Sequence, residues 1–314
     1  MLYAARPSAL PSGFRRQRLL IVGCGDVGQR VAALTVPRLR VFALTSSPSR
    51  VPTLRALGLT PLVGDLDRPD TLRRITGLAT HVVHLAPPPA QGHVDPRTRA
   101  LLAVLRRRSP PRALVYGSTS GVYGNHDGAW VRETTGLRTT SARALRRVDA
   151  EQRVRRFGRG AGVRACALRI PGIYAPDRPG GTPRERLLRA QPVLMAPEDV
   201  LTNHIHADDL ARACVLALWR SRPGRVYNVN DDTQLRMGDY YDAAADGYGL
   251  PRPPRVSRQQ AQAMLPAMTY SFMCESRRMD NTRLKRELRM RLHYPTVLQG
   301  LFGARTGRVS GMGV

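Results

Sequence analysis

A doubly wound α/β fold is what this 314-residue sequence predicts, with a parallel sheet covered by helices on both faces and a smaller C-terminal part. Two observations carry that prediction. The first is the run Leu19-Leu-Ile-Val-Gly-Cys-Gly-Asp-Val-Gly-Gln-Arg-Val-Ala-Ala-Leu34, where a buried-strand segment, a G-x-G-x-x-G turn and a helix start follow without a gap. The second is the alternation of short apolar runs with helical periods as far as Ile170.

The first unit already specifies chemistry. Gly23 permits a tight turn, Gly25 lets the backbone approach a pyrophosphate, and Gly28 lets the following helix press on the strand, with the helix amides aimed at the anion. A glycine-rich surface turn is the plainer alternative, but the strand before and the helix after favour a dinucleotide cradle. Arg40–Thr45 reads as a second strand, and 51–57 as a helix stopped by Gly58. Leu59 to Val63 reads as a third strand, Asp70 to Ile75 as a short helix, and His81 to Ala86 as a fourth strand ended by Pro87, Pro88 and Pro89. Leu101, Val104 and Leu105 stand at helical spacing within 97–108, Ala113 to Tyr116 reads as a fifth strand, and a helix over 140–156 precedes a sixth, Arg164–Ile170. Right-handed crossovers between such strands make the sheet parallel.

Beyond Pro171 the rhythm changes. A Pro/Gly-rich stretch over 175–183 leads to a short helix near 184–190, then 201–206, a helix over 208–220 and a strand at 225–229. The ends, 1–14 and 303–314, are expected to be flexible tails. No apolar run approaches the length of a membrane span and no secretory signal is visible, so a cytoplasmic protein with no membrane partner is expected. Cys24, Cys166, Cys214 and Cys274 lie far apart with no C-x-x-C spacing, which argues against disulfide or metal roles. The formal charge of +27 invites a nucleic-acid reading. Against it, arginine supplies every basic residue except Lys285, the arginines are spread over all the helices, and no aromatics alternate with them to stack bases. Solvated helix faces are the better account.

Six motifs, in order and spacing, resemble those of the extended short-chain dehydrogenase/reductases of the NAD-dependent epimerase/dehydratase group. They are the glycine turn, Gly64-Asp65-Leu66, His84-Leu85-Ala86, Ser118-Thr-Ser-Gly-Val-Tyr-Gly124, Leu168-Arg-Ile-Pro-Gly-Ile-Tyr174 and His206-Ala-Asp-Asp-Leu210. The resemblance implies a Rossmann-type nucleotide domain over 15–170 and a small C-terminal α/β substrate lobe over 171–302, with 201–229 returning to the main sheet. It also implies a bound nicotinamide dinucleotide, contacted at Gly23, Gly25, Asp26, Val27, Gly28, Asp65, Leu66, Leu85, Ala86 and Pro171. Tyr123 and Tyr174 fall near the implied cleft and are candidate substrate contacts, with packed aromatics as the alternative.

Catalysis in that family rests on a Tyr-x-x-x-Lys pair and a Ser or Thr on the preceding strand. Counting back from Glu151 puts Arg147 at the lysine position and Arg143 at the tyrosine position. No register shift restores the pair, because Lys285 is the only lysine and no tyrosine lies between Tyr123 and Tyr174. An arginine can hold a ribose or phosphate but stays protonated and cannot act as the acid/base. Thr119 aligns with the hydroxyl position, between Ser118 and Ser120, and all three are candidate catalytic contacts; capping of the loop backbone is the alternative. His204 and His206 share a strand face, as two zinc ligands would, yet a helix capped by Asp208 accounts for the neighbouring carboxylates.

An NAD site usually carries Asp or Glu at the end of the second strand, where it meets the ribose 2'-hydroxyl. Here that region reads Thr45-Ser-Ser-Pro-Ser-Arg50, with no acid between Asp26 and Asp65. Ser46 and Arg50 would welcome a 2'-phosphate, so NADP is expected, with NAD the alternative. The sequence therefore reads as an NADP-preferring oxidoreductase or epimerase/dehydratase-like enzyme without the usual pair, acting on a small molecule such as a sugar nucleotide or carbonyl compound. A homodimer is the assembly envisaged. A noncatalytic dinucleotide-binding redox sensor is the competing function.

Overall fold

Leu19 and Ile21 point to one side of the first strand and Leu20 and Val22 to the other, and all four are buried, so the sheet needs a helical layer on each face. The computed structural model describes residues 17–303 and shows that arrangement. Seven strands form one sheet: β1 (Arg18–Val22), β2 (Arg40–Thr45), β3 (Thr60–Val63), β4 (His81–His84), β5 (Ala113–Thr119), β6 (Arg164–Ile170) and β7 (Val226–Asn228). Their order is β3-β2-β1-β4-β5-β6-β7 and every pairing is parallel. The order reverses between β1 and β4, the crevice where doubly wound folds bind ligands.

Helices α1 (Asp26–Thr35) and α5 (Ala207–Arg220) cover one face, burying Val31, Ala32, Leu210, Cys214 and Leu218 against Leu19, Ile21, Val41 and Val83. The other face carries α3 (Pro96–Leu105) and α4 (Ala142–Ala161), whose Leu101, Leu105, Val154 and Phe157 pack on Leu20, Val22, Val82 and Leu114. The helix α2 (Val51–Ala56) buries Leu54 beside β2 and β3. Local chemistry sets the ends. Asp95 caps α3 by accepting from the Thr98 amide at 3.0 Å, Ser141 caps α4, and Gly162 closes α4 in the left-handed region at φ 64°.

A third core lies apart from the sheet. Tyr174, Leu187, Val193, Leu194 and Val200 meet Tyr240, Tyr241 and Ala244 of α6 (Met237–Tyr248), with Val297 and Leu301 closing it. This is the smaller C-terminal α/β part that the sequence predicts. No helix among the described residues is long and apolar enough to cross a membrane.

Several expectations are corrected. The segment expected as a helix over 70–75 is a 3-10 turn, Pro69–Ile75. Strand β4 stops at His84, because the Leu85 and Ala86 amides both turn onto the Val22 carbonyl, at 2.7 and 3.0 Å. Strand β5 runs to Thr119, pairing Gly117, Ser118 and Thr119 with Leu168, Arg169 and Ile170. His206, not Asp208, caps α5: its Nδ1 accepts from the Asp208 amide at 3.2 Å. The tails expected at 1–14 and 303–314 lie outside the described residues, apart from Gly303.

Asp231 follows β7 into the C-terminal part and is 1% exposed. Burial, reinforced by Asp232, pushes its carboxyl up to about 8, against the pull of hydrogen bonds from Thr233. The folded chain therefore holds this proton longer than the unfolded chain does, so its contribution to stability falls as pH rises from about 4 to about 8. Asp231→Asn removes that loss. Urea unfolding is expected to show the variant close to wild type at pH 4.5 and more stable by roughly 1–3 kcal/mol at pH 8; a difference that does not grow with pH would refute the assignment.

Candidate dinucleotide site

The glycine turn occupies the reversal point of the sheet. Gly23 has φ +89°, and a Cβ there would stand 2.3 Å from the Ala86 nitrogen, so the turn is sealed against the exit of β4. A Cβ on Gly28 would stand 2.8 Å from the Gly23 carbonyl oxygen. Gly25 differs, because a Cβ built on it meets no atom within 4 Å. Two glycines thus serve the protein's own packing, and the third leaves open space at the N-terminus of α1. That free approach fits a pyrophosphate on helix amides. Val27 packs its side chain on the core beneath. Asp26, the first residue of α1, accepts from Arg30 Nε and from Arg178 Nη1, each at 3.2 Å. Arg30 also donates to Asp208 (2.5 Å) and Asp177 (2.7 Å). Burial opposes its charge, but these three carboxylates raise its pKa above the ordinary arginine value.

On the second-strand side, Arg50 reaches back across the turn and donates Nη2 to the Cys24 carbonyl at 2.7 Å. Ser46 is exposed at the end of β2. Asp65 binds its own turn, its Oδ1 accepting from the Asp67 amide at 2.9 Å, and Leu66 lies on the wall of a groove of about 640 Å³ that continues between Pro69 and Pro96.

The end of β5 gathers most of the remaining candidates. Ser118 Oγ donates to Glu151 Oε1 at 2.6 Å, and Glu151 forms a two-point ion pair with Arg169, at 3.2 and 2.9 Å. Glu151 and Arg169 are 4% and 3% exposed, so Ser118 belongs to a sealed polar unit. Thr119 is half-buried and its Oγ1 accepts from the Gly121 amide at 3.3 Å, while Ser120 is buried. Arg147 donates Nη1 to the Gly117 carbonyl (2.7 Å) and to the Tyr116 hydroxyl (3.1 Å). Burial pushes that phenol well above its usual range, although Arg147 pulls the other way. Arg143, one helical turn earlier, is exposed and stacks over Phe272 at 4.7 Å. Pro171 is half-buried just past β6.

The two tyrosines point inward. Tyr123 is fully buried and its single hydroxyl proton goes to Asn228 Oδ1 at 2.6 Å, with the Arg132 carbonyl 3.1 Å from the same oxygen. Tyr174 donates to the Thr296 carbonyl at 3.2 Å and sits edge-on to His206, ring centres 5.3 Å apart. Burial raises both phenols. His204 tilts against Tyr240 and His206 stacks on Tyr294, at 4.5 and 3.7 Å between ring centres. Among the described residues no group of three His, Cys, Asp or Glu side chains could hold a metal.

Sequence reasoning passed over Arg169 and Arg178. Arg169 had a signal, since an arginine inside the apolar strand Arg164–Ile170 must find a buried acid. Arg178 had none, because its partner Asp26 is 152 residues away.

This parallel sheet order, with the glycine turn at its reversal point, defines a Rossmann-type fold. The chain belongs to the NAD dependent epimerase/dehydratase family, which matches it over residues 19–230. A comparison with curated proteins finds no match. Among solved structures, a conserved protein of unknown function from Silicibacter pomeroyi DSS is 33% identical, with a TM-score of 0.76 over 91% of this chain and 96% of that one. UDP-glucose 4-epimerase from Thermotoga maritima, solved with UDP-glucose, is 18% identical with a TM-score of 0.75 over 91% and 97% of the two chains. The dTDP-glucose 4,6-dehydratase of Streptomyces venezuelae, a double mutant solved with NAD bound, is 21% identical with a TM-score of 0.73 over 91% and 95%. At these two identities the likeness is one of fold.

Proposed function

We propose that the protein is an NADP(H)-dependent oxidoreductase of the epimerase/dehydratase family that works without a Tyr–Lys pair. The observation that carries the cofactor choice is the Arg50 guanidinium, held on the Cys24 carbonyl of the glycine turn, with Ser46 exposed after β2 and no carboxylate at the end of that strand to repel a 2'-phosphate. The dinucleotide would supply hydride transfer. The chain's own residues bind its pyrophosphate at Gly25 and its ribose phosphate at Ser46 and Arg50, and present Thr119 at the end of β5. Arg147 is a hydrogen-bond donor engaged with the Gly117 carbonyl, so it organises the end of the strand. The class of substrate supported is a small carbonyl compound or sugar nucleotide. UDP-glucose is the ligand in the Thermotoga epimerase, which shares this fold.

Calorimetric titration is expected to show NADPH bound at least tenfold more tightly than NADH, about 1.4 kcal/mol, with Arg50→Ala erasing the difference. Equal affinities in the wild-type chain would remove the NADP reading. With a turned-over substrate in hand, Thr119→Val is expected to lower the rate roughly 30- to 150-fold through loss of one transition-state contact. An unchanged rate would take Thr119 out of the site.

A redox-sensor reading is favoured by one observation: the Ser118, Tyr123 and Tyr174 hydroxyls and the Arg147 Nη1 all make hydrogen bonds within the protein. Tight NADPH binding with no turnover of sugar nucleotides, ketones or aldehydes would select it.

A further inference from the structure

Asp26 creates a difficulty for an anion-binding turn. It follows Gly25 directly, and its carboxylate places negative charge beside the amides a pyrophosphate would use. Arg30 cannot relieve this by itself, since Nε, Nη1 and Nη2 are each already on a carboxylate: Asp26, Asp208 and Asp177. Arg178 is different. Its Nη1 donates to Asp26 Oδ2 at 3.2 Å, its side chain is 28% exposed, and Asp26 is its single side-chain partner among the described residues. One edge of its planar fork holds Asp26 and the other donors remain available.

The segment that carries Arg178 is built to stay near α1. The Ala175 amide donates to the Gly181 carbonyl at 3.1 Å and the Gly181 amide to the Arg178 carbonyl at 2.9 Å, closing a compact turn. A Cβ on Gly181 would stand 2.6 Å from the Ala175 oxygen, so glycine is what lets the turn close. Asp177 then ties that turn to Arg30 of α1.

We propose that Arg178 is a pyrophosphate-binding residue: the 175–181 turn straps across the glycine cradle, and the Arg178 guanidinium bridges Asp26 to a phosphate oxygen of the dinucleotide. This deepens the proposed dinucleotide binding and rests on it. If Arg178 only latched the turn to Asp26, breaking the pair from either side would change affinity alike. A bridging guanidinium predicts that the two breaks differ, with no weakening by Asp26→Asn, because that change removes a repelling carboxylate and leaves the cation free for phosphate.

The test is calorimetric titration of the full chain with NADPH and with NADH, alongside thermal melts. Arg178→Ala is expected to weaken both dinucleotides by about tenfold, since the pyrophosphate is common to them, whereas Arg50→Ala acts on NADPH alone. Asp26→Asn is expected to bind both as tightly as wild type or more so, and Arg178→Lys to fall between Arg178→Ala and wild type. Unchanged affinity in a folded Arg178→Ala variant overturns the strap, as does equal weakening by Arg178→Ala and Asp26→Asn. A wild-type chain that binds neither dinucleotide overturns the strap and the dinucleotide reading together.

Discussion

Gly25→Val should abolish dinucleotide binding while leaving the protein folded. The argument rests on the difference among the three glycines of the turn. Gly25 has φ −78° and ψ −156°, extended values open to any residue, and its Cβ direction meets no protein atom within 4 Å. The fold therefore has room for the valine, and what the side chain fills is the approach to the α1 amides. A loss of at least 100-fold in NADPH affinity, about 2.7 kcal/mol or more, is expected from displacing phosphate from that contact. Gly23→Ala provides the contrast, because its Cβ would overlap Ala86 at a positive φ and should unfold the turn. Unaltered NADPH affinity in a folded Gly25→Val protein would place the cradle elsewhere.

The buried pair beneath the site gives the second large effect. Glu151→Ala leaves the Arg169 guanidinium buried with no counter-ion and also removes the acceptor for Ser118. A cost of about 3–5 kcal/mol in urea unfolding is expected, since a buried charge deprived of its partner keeps its desolvation penalty. Arg169 also lies 4.7 Å over the Tyr123 ring, so the damage should spread to the contact with Asn228. The double variant Glu151→Leu with Arg169→Met should recover much of the loss, because it removes both charges at once. A Glu151→Ala protein within 1 kcal/mol of wild type, roughly the worth of an exposed pair, would mean that water reaches this site.

How much of this was legible depended on how local the signal was. The turn from Val22 to Gly28 could be read outright, because strand, glycine spacing and helix start are contiguous. Gly117, Ser118 and Thr119 carry no apolar pattern, so their place in β5 shows only once β6 lies beside them. Met237–Tyr248 is helical because Tyr240, Tyr241 and Ala244 pack on Tyr174 and Val193, a long-range fact that a composition rich in Asp, Gly and Tyr hides. Among the site residues, Gly25 is understood from its neighbours in sequence. Arg50 and Arg178 are single choices from 49 arginines, and only the folded chain shows which of them turn toward the cradle.

The position of β7 also bears on how the molecule is completed. Strands β1 to β6 are laid down in chain order by local crossovers, but Val226–Asn228 joins β6 only after the chain has passed through part of the C-terminal lobe. The same late segment brings α5 onto α1. Until it docks, Arg164–Ile170 is an open edge with unpaired amides, and the flank of α1 that α5 covers lies open. A nascent chain released at this stage would present a strand template and an oily stripe together, which is the combination that draws identical chains into aggregates. The C-terminal part thus also decides how long the edge of the main sheet remains exposed during folding.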